Sequence, residues 1–371
     1  MKKRRWIALL LVVVLAFAMT AIVGCTSDDP EPVAEAEVEE VVEEVAEEVE
    51  EVVEAEEVEE VEIPEVVEGG AVGNILGPDV DLSVLEGLTV GFAQMDSVNS
   101  WRIAQTDSVQ SAARELGVNL IYADAAGDVA KQASDIEDMV AQGADFIIVA
   151  PLVEDGLQGA LRSAMEAGVG VILVDRGIDG EAGVHYDTAV MADFIWEGQQ
   201  VAEYMIEATG GVGNVVILQG TPGSSAAMDR QIGFTETIAG TDMVIIADQV
   251  ANFAMPDAIE VMENILQAHG DDIDIVFAHN DDMALGAITA IRAAGLVPGE
   301  DILVGGIDSP VAAMEAILAG EQLVSVSCSP FFGPISFEII ARMIHGETIP
   351  PALQKPGTLF DINNADVNEG F

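Results

Sequence analysis

The chain has 371 residues, 66 of them acidic against 13 basic, and a formal net charge of -53. So large an excess of carboxylates excludes nucleic acid as a partner, because neutralising phosphates takes clustered Lys and Arg. Half of the residues are hydrophobic, enough for a sizeable core in one large or two ordinary domains, and two cysteines exclude a disulfide framework.

Lys2, Lys3, Arg4 and Arg5 precede an apolar run from Trp6 to Val23, and Gly24-Cys25 follows, so residues 1–25 read as a secretory signal. The run is also long enough for an uncleaved membrane anchor. Its end, Ile22-Val23-Gly24-Cys25, resembles a bacterial lipobox, which implies lipidation of Cys25. The chain is then exported and tethered, at the outer face of the cytoplasmic membrane or in the periplasm. Residues 26–86 read as an acidic Glu/Val-rich linker, with 21 acidic residues and no basic one between Asp28 and Glu68. Val38, Val42, Val45, Val49 and Val52 follow the spacing of a coiled-coil seam, but like charges at i,i+4 repel, which favours an extended spacer. Residues 69–371 still hold 45 acidic and nine basic residues. A surface suited to salty surroundings and a generally acidic surface account for this equally well.

From Leu88 onward, short apolar runs alternate with stretches of helical period. The runs are 88–93, 119–123, 145–150, 170–174, 214–218, 243–247, 274–278 and 301–307; the helical stretches are 101–116, 129–142, 155–167, 189–208, 256–268, 281–294 and 310–319. Continuous β-branched runs between helices predict parallel strands buried on both faces. Eight runs predict an α/β fold of two doubly wound parallel-sheet lobes, with a single eight-stranded barrel as the alternative. The long stretch 176–213 reads as a crossover between domains and weighs against the barrel.

In open α/β sheets ligands bind beyond the carboxyl ends of the strands. The residues there are Asn99, Trp101 and Arg102 after the first run, Asp175 and Arg176 after 170–174, Arg230 beyond the Gly/Ser loop that follows 214–218, Phe253, then Asn280 and Asp308. Planar hydrogen-bonding groups grip vicinal hydroxyls and aromatic faces stack on sugar rings, so the set suits a polyhydroxylated ligand. Each residue also has a plain structural reading. The arginines could be surface counter-ions, Asn280 and Asp308 helix caps, Phe253 core and His279 a satisfied loop histidine. For Asp281 the N-cap reading is preferred. Three of only nine basic residues beyond the leader fall on this one face, which favours a site.

These same segments resemble the type I periplasmic sugar-binding proteins of bacterial transporters, the ribose/galactose-binding-like family. VDRGID (174–179), SSAAMDRQIGF (224–234), VFAHNDDMALGAITAI (276–291), ILVGGIDS (302–309) and QMDSVNSWR (94–102) carry the resemblance over residues 88–371, closest to the galactofuranose-binding branch. It implies two lobes joined by three hinge strands, lobe one at 87–188 plus 328–355 and lobe two at 189–327 plus 356–371. It also implies that Asp175, Arg176, Arg230, Phe253, Asn280 and Asp308 contact a monosaccharide, with Trp101 at the stacking position. Arg102 stands where ribose binders carry an aromatic and Cys328 where they carry Gln, which argues against ribose. The function implied is the lipid-anchored solute-binding subunit of a carbohydrate ABC transporter, working as a monomer with membrane permease subunits. The alternative is a sugar or autoinducer sensor that hands occupancy to a membrane receptor.

An enzyme is not expected. His185, His269, His279 and His345 have no metal-ligand partner at helical spacing, so no metal or cofactor is implied. GTPGSS (220–225) lacks the Lys-Ser/Thr of a phosphate loop, and no nucleophile elbow is present.

Overall fold

The computed structural model describes residues 80–371; the leader, Cys25 and most of the acidic linker lie outside the described residues. The linker ends earlier than residue 86, because Leu82–Leu85 forms a 3-10 turn capped by Asp81 and Leu85 is fully buried.

Two sheets organise the described residues. The first is built from β1 (Thr89–Gln94), β2 (Asn119–Asp124), β3 (Phe146–Val149), β4 (Gly170–Asp175), β5 (Thr188–Ala192) and β11 (Ala352–Lys355), in the order β11-β5-β4-β3-β1-β2. Its helices are α1 (Ser100–Glu115), α2 (Val129–Ala141), α3 (Gln158–Glu166) and α9 (Gly333–Ile344). All its pairings are parallel. The second contains β6 (Val212–Gln219), β7 (Asp242–Val250), β8 (Ile275–Ala278), β9 (Leu303–Asp308), β10 (Val324–Ser327) and β12 (Leu359–Phe360), in the order β12-β10-β9-β8-β6-β7. With it go α4 (Phe194–Thr209), α5 (Ser225–Ile238), α6 (Met255–His269), α7 (Asp281–Ala293) and α8 (Val311–Leu318). Only β12 runs antiparallel, against β10. Two separate sheets replace the barrel alternative.

The central strands form because continuous apolar runs bury both faces. Val171, Ile172, Leu173 and Val174 of β4 are fully buried, each side chain contributing about 1.5–3 kcal/mol relative to exposure. The edges differ from the expectation. The run 243–247 lies in β7 at the end of its sheet, where Val244 is 55% exposed, because an edge strand has a neighbour on one side only. Residues 188–192, expected within a helix over 189–208, pair as β5 with β4 and β11, and the helix starts at Phe194 behind its N-cap Asp193. The first sheet therefore reaches Ala192, four residues past the lobe boundary expected at 188.

Three chain segments join the lobes: Ala192 to Phe194, Ser327 to Gly333, and Lys355 to Leu359. The last two are stitched together, Ser327 N–H donating to Thr358 O at 2.8 Å and Thr358 N–H to Ser327 Oγ at 2.8 Å. Lys355 Nζ donates to Ser329 O at 2.7 Å and lies 3.9 Å from the Phe332 ring centre. Among the described residues no helix is long and apolar enough to cross a membrane.

Candidate functional site

The carboxyl ends of both sheets face one small cavity lined by Asn99, Trp101, Arg102, Asp175, Arg176, Ala226, Arg230, Phe253, Asn280 and Asp308. All nine residues singled out in the folded part of the sequence thus meet in one place. Five come from the first lobe and four from the second.

Asn99 is the N-cap of α1, its side chain accepting from Arg102 N–H at 2.9 Å. This fixes the first turn and turns Trp101 and Arg102 toward the cleft. The Trp101 indole N–H donates to Cys328 O at 2.6 Å, so the ring is tied to the second interlobe segment. Arg102 stacks 4.6 Å from that ring and donates to Asp175 Oδ2 at 2.5 Å and Gln105 Oε1 at 2.9 Å. Arg176 donates to Leu152 O at 2.8 Å, while its Nε has no hydrogen-bond partner among the described residues. Burial, then the neighbouring Arg102, lowers Arg176 to about 9.

On the second lobe, Arg230 donates to Glu197 Oε2 at 2.9 Å, His279 O at 2.7 Å and Asp308 Oδ1 at 3.2 Å. Burial works against its charge, but the Glu197 and Asp308 carboxylates more than offset this and hold it above the usual range. The Phe253 ring receives two guanidiniums, Arg176 at 5.1 Å and Arg230 at 5.9 Å. Asp175, Phe253 and Asp308 carry positive φ angles of 70°, 60° and 120°, a region that non-glycine residues seldom occupy.

The lobes are closed. Asn99 Nδ2 donates to Phe253 O at 3.1 Å, and Asn280 Nδ2 reaches the same carbonyl at 3.3 Å. Ser100 donates through N–H and Oγ to Asp282 Oδ2, at 3.2 and 2.9 Å. Glu154 N–H meets Gly223 O at 3.0 Å and Gly177 N–H meets Ser225 Oγ at 3.1 Å.

Several plain readings need correction. Asn280, not Asp281, caps α7, because Asn280 has the extended backbone of a cap and accepts from Met283 N–H. Asp281 is inside the helix and buried, accepting from Ser309 N–H, Gln322 and Ser325. Asp308 does not cap α8, whose N-cap is Pro310; it pairs with Arg230. The arginines are not surface counter-ions, Arg102, Arg176 and Arg230 each being 3% exposed. His279 is satisfied, Gly220 N–H donating to Nδ1 and Gln231 Oε1 lying 2.9 Å from Nε2. Sequence reasoning missed Ala226, which has no chemical signature, and Glu197, whose only signal is a carboxylate in the apolar run FIWEGQQVA.

Residues 90–348 match the profile of a periplasmic binding protein domain. The chain is 40% identical over 270 residues to the galactofuranose-binding protein YtfQ of Escherichia coli, covering 72% of this chain and 85% of that one. The binding component of the arabinose ABC transporter of Shewanella sp. ANA-3, solved with α- and β-L-arabinofuranose, superposes with a TM-score of 0.72 at 35% identity, over 75% of this chain and 93% of that one. A Mycobacterium smegmatis protein in complex with β-D-fucofuranose gives 0.72 at 39% identity, over 75% and 93%.

Proposed function

This chain belongs to the periplasmic binding protein domain family, and on that premise we propose that it is the solute-binding subunit of a carbohydrate ABC transporter that captures a monosaccharide, in its furanose form, between the two lobes. The observation that carries this is the composition of the cavity: three guanidiniums, two carboxylates, an asparagine pair and two aromatic rings, drawn from both lobes. Arg–carboxylate pairs offer aligned donors and acceptors to adjacent hydroxyls, and the Trp101 and Phe253 rings take the apolar face of the sugar. The relatives named for galactofuranose, arabinofuranose and fucofuranose support the furanose reading.

Because contacts come from both lobes, a bound sugar stabilises the closed form over the open one. Closure brings the outer rims of the lobes into the relative position that the permease subunits read. Sugar is released unchanged, and no catalytic step is involved. The protein works as a monomer held by lipid on Cys25 at the outer face of the cytoplasmic membrane or in the periplasm.

Titration of the full-length chain with pentoses, hexoses and polyols tests the reading through Trp fluorescence and thermal shift. A furanose-forming sugar should change both. A panel in which nothing changes either signal overturns the proposal. Metabolic labelling with a fatty acid, lost in Cys25→Ser, tests the anchor separately.

A further inference from the structure

We propose that Glu197, which does not itself line the cavity, positions Arg230 and determines specificity by charge: it balances the third guanidinium, so the cleft takes an uncharged sugar and rejects its carboxylated counterpart. This rests on the sugar-binding reading above.

The cavity wall alone is unbalanced. It carries the guanidiniums of Arg102, Arg176 and Arg230 but only the carboxylates of Asp175 and Asp308. A buried net positive charge attracts anions strongly, because little water is present to screen it. Glu197 supplies the missing negative charge through the 2.9 Å contact of its Oε2 with Arg230 Nε. Outside this ring, buried Lys355 and Asp96 add one charge of each sign, and Asp281 is closed off by Ser309, Gln322 and Ser325.

The backbone is built to place this carboxylate. Glu197 sits in the first turn after the chain crosses between lobes, and the next residue, Gly198, lets α4 touch α5. A Cβ on Gly198 would lie 2.3 Å from Arg230 O, and one on Gly233 would lie 2.1 Å from Ile195 O. The two helices therefore meet backbone to backbone at the turns that carry Glu197 and Arg230, and the Phe194 ring closes the contact 5.2 Å from the guanidinium. Glu197 is 1% exposed, and its Oε1 has no hydrogen-bond partner among the described residues. A glutamine would fit the same space without burying a charge. The chain bears the penalty of a half-satisfied buried carboxylate, which is explained if the charge itself is what the site needs. Burial pushes Glu197 up to about 7 while Arg230 pulls it down. The other charged or titratable groups facing it are Asp308 from the end of β9, Asp175 from the end of β4, Cys328 after β10 and Lys355 on β11.

The test uses the full-length chain and calorimetric titration with two probe pairs whose members all close to furanose rings, D-galactose with D-galacturonate and L-arabinose with L-arabinuronate. Glu197→Gln should lower the preference for the uncharged member of a pair by about tenfold or more, while Glu197→Asp, which keeps the charge, should retain the preference even if both affinities fall. In the wild type the same preference should shrink between about pH 8 and about pH 5.5, as Glu197, with the raised Asp308 and the lowered Lys355 beside it, takes up protons; the same pH series on Glu197→Asp should show the midpoint moved, which assigns the Glu197 share and stands if Glu197→Gln fails to fold. A wild-type preference that is indifferent to pH, or one that Glu197→Gln leaves unchanged, overturns this inference alone. Failure of the wild type to bind any uncharged sugar overturns the sugar-binding reading, and this inference with it.

Discussion

Ser100 and Asp282 form a latch across the mouth of the cleft, and its contribution can be worked from the contacts. Asp282 Oδ2 accepts two hydrogen bonds from Ser100, through N–H and Oγ, and so caps the N-terminus of α1 from the opposite lobe. A hydrogen bond to a charged group is worth about 1.5–3 kcal/mol, and exposure of Ser100 reduces this to about 1 kcal/mol. Ser100→Ala removes the hydroxyl bond and should raise the sugar dissociation rate about fivefold. Asp282→Ala removes the acceptor of both bonds, and with it the favourable charge at the helix end, for about 2 kcal/mol and a rise of about 30-fold. Stopped-flow Trp fluorescence with the sugar selected by the panel measures both. Association rates should stay within a factor of about two, because the latch forms after the sugar has entered. The double variant is decisive: with Asp282 already replaced, Ser100→Ala should add almost nothing. Full additivity, or unchanged dissociation in both single variants, would refute the reasoning.

Gly220→Ala places a Cβ 2.0–2.4 Å from three carbons of the Phe253 ring; the ring must yield, and sugar affinity should fall about tenfold or more while circular dichroism stays native. Gly198→Ala forces α4 and α5 apart and should cost about 1–3 kcal/mol in urea unfolding. Gly159→Ala, also helical but with nothing within 4 Å of the new Cβ, should be neutral or stabilising by up to about 1 kcal/mol. His279, lowered to about 3 by burial and by Arg230, stays neutral while the unfolded chain takes up a proton near 6.5. The unfolded state binds more protons across that window, so stability is lost as pH falls from 6.5 toward 3, by at most about 1.4 kcal/mol per pH unit from this group. His279→Gln should remove that component from denaturation curves recorded across the range.

The alternation of strands and helices from Leu88 to Asp308 is legible in the sequence because central parallel strands are continuous apolar runs. The short strands are not. Thr188–Ala192 is rich in good helix formers and runs straight into a helix; its pairing with β4 and β11 decides its state. Ala352–Lys355 has no β-branched residue, and only its place beside β5 extends it. The cavity wall is legible because a topological rule locates strand ends. Glu197 escapes that rule, since it acts from within a helix through Arg230. Asn280 and Asp281 are equally good caps by residue type, and the backbone extended at Asn280 decides between them.

The left-handed torsions at Asp175, Phe253 and Asp308 bear on how this cleft can diversify. Most side chains impose about 1–2 kcal/mol at such a torsion, and Asn, Asp and Gly impose least. Exchanging either aspartate is thus confined to a few near neighbours in chemistry, whereas Arg102 and Arg230 sit on ordinary helical backbone, where only their buried carboxylate partners, and no torsion, limit replacement. Lineages that retune such a receptor to new nutrients should accumulate changes on the cationic side while the anionic side stays put.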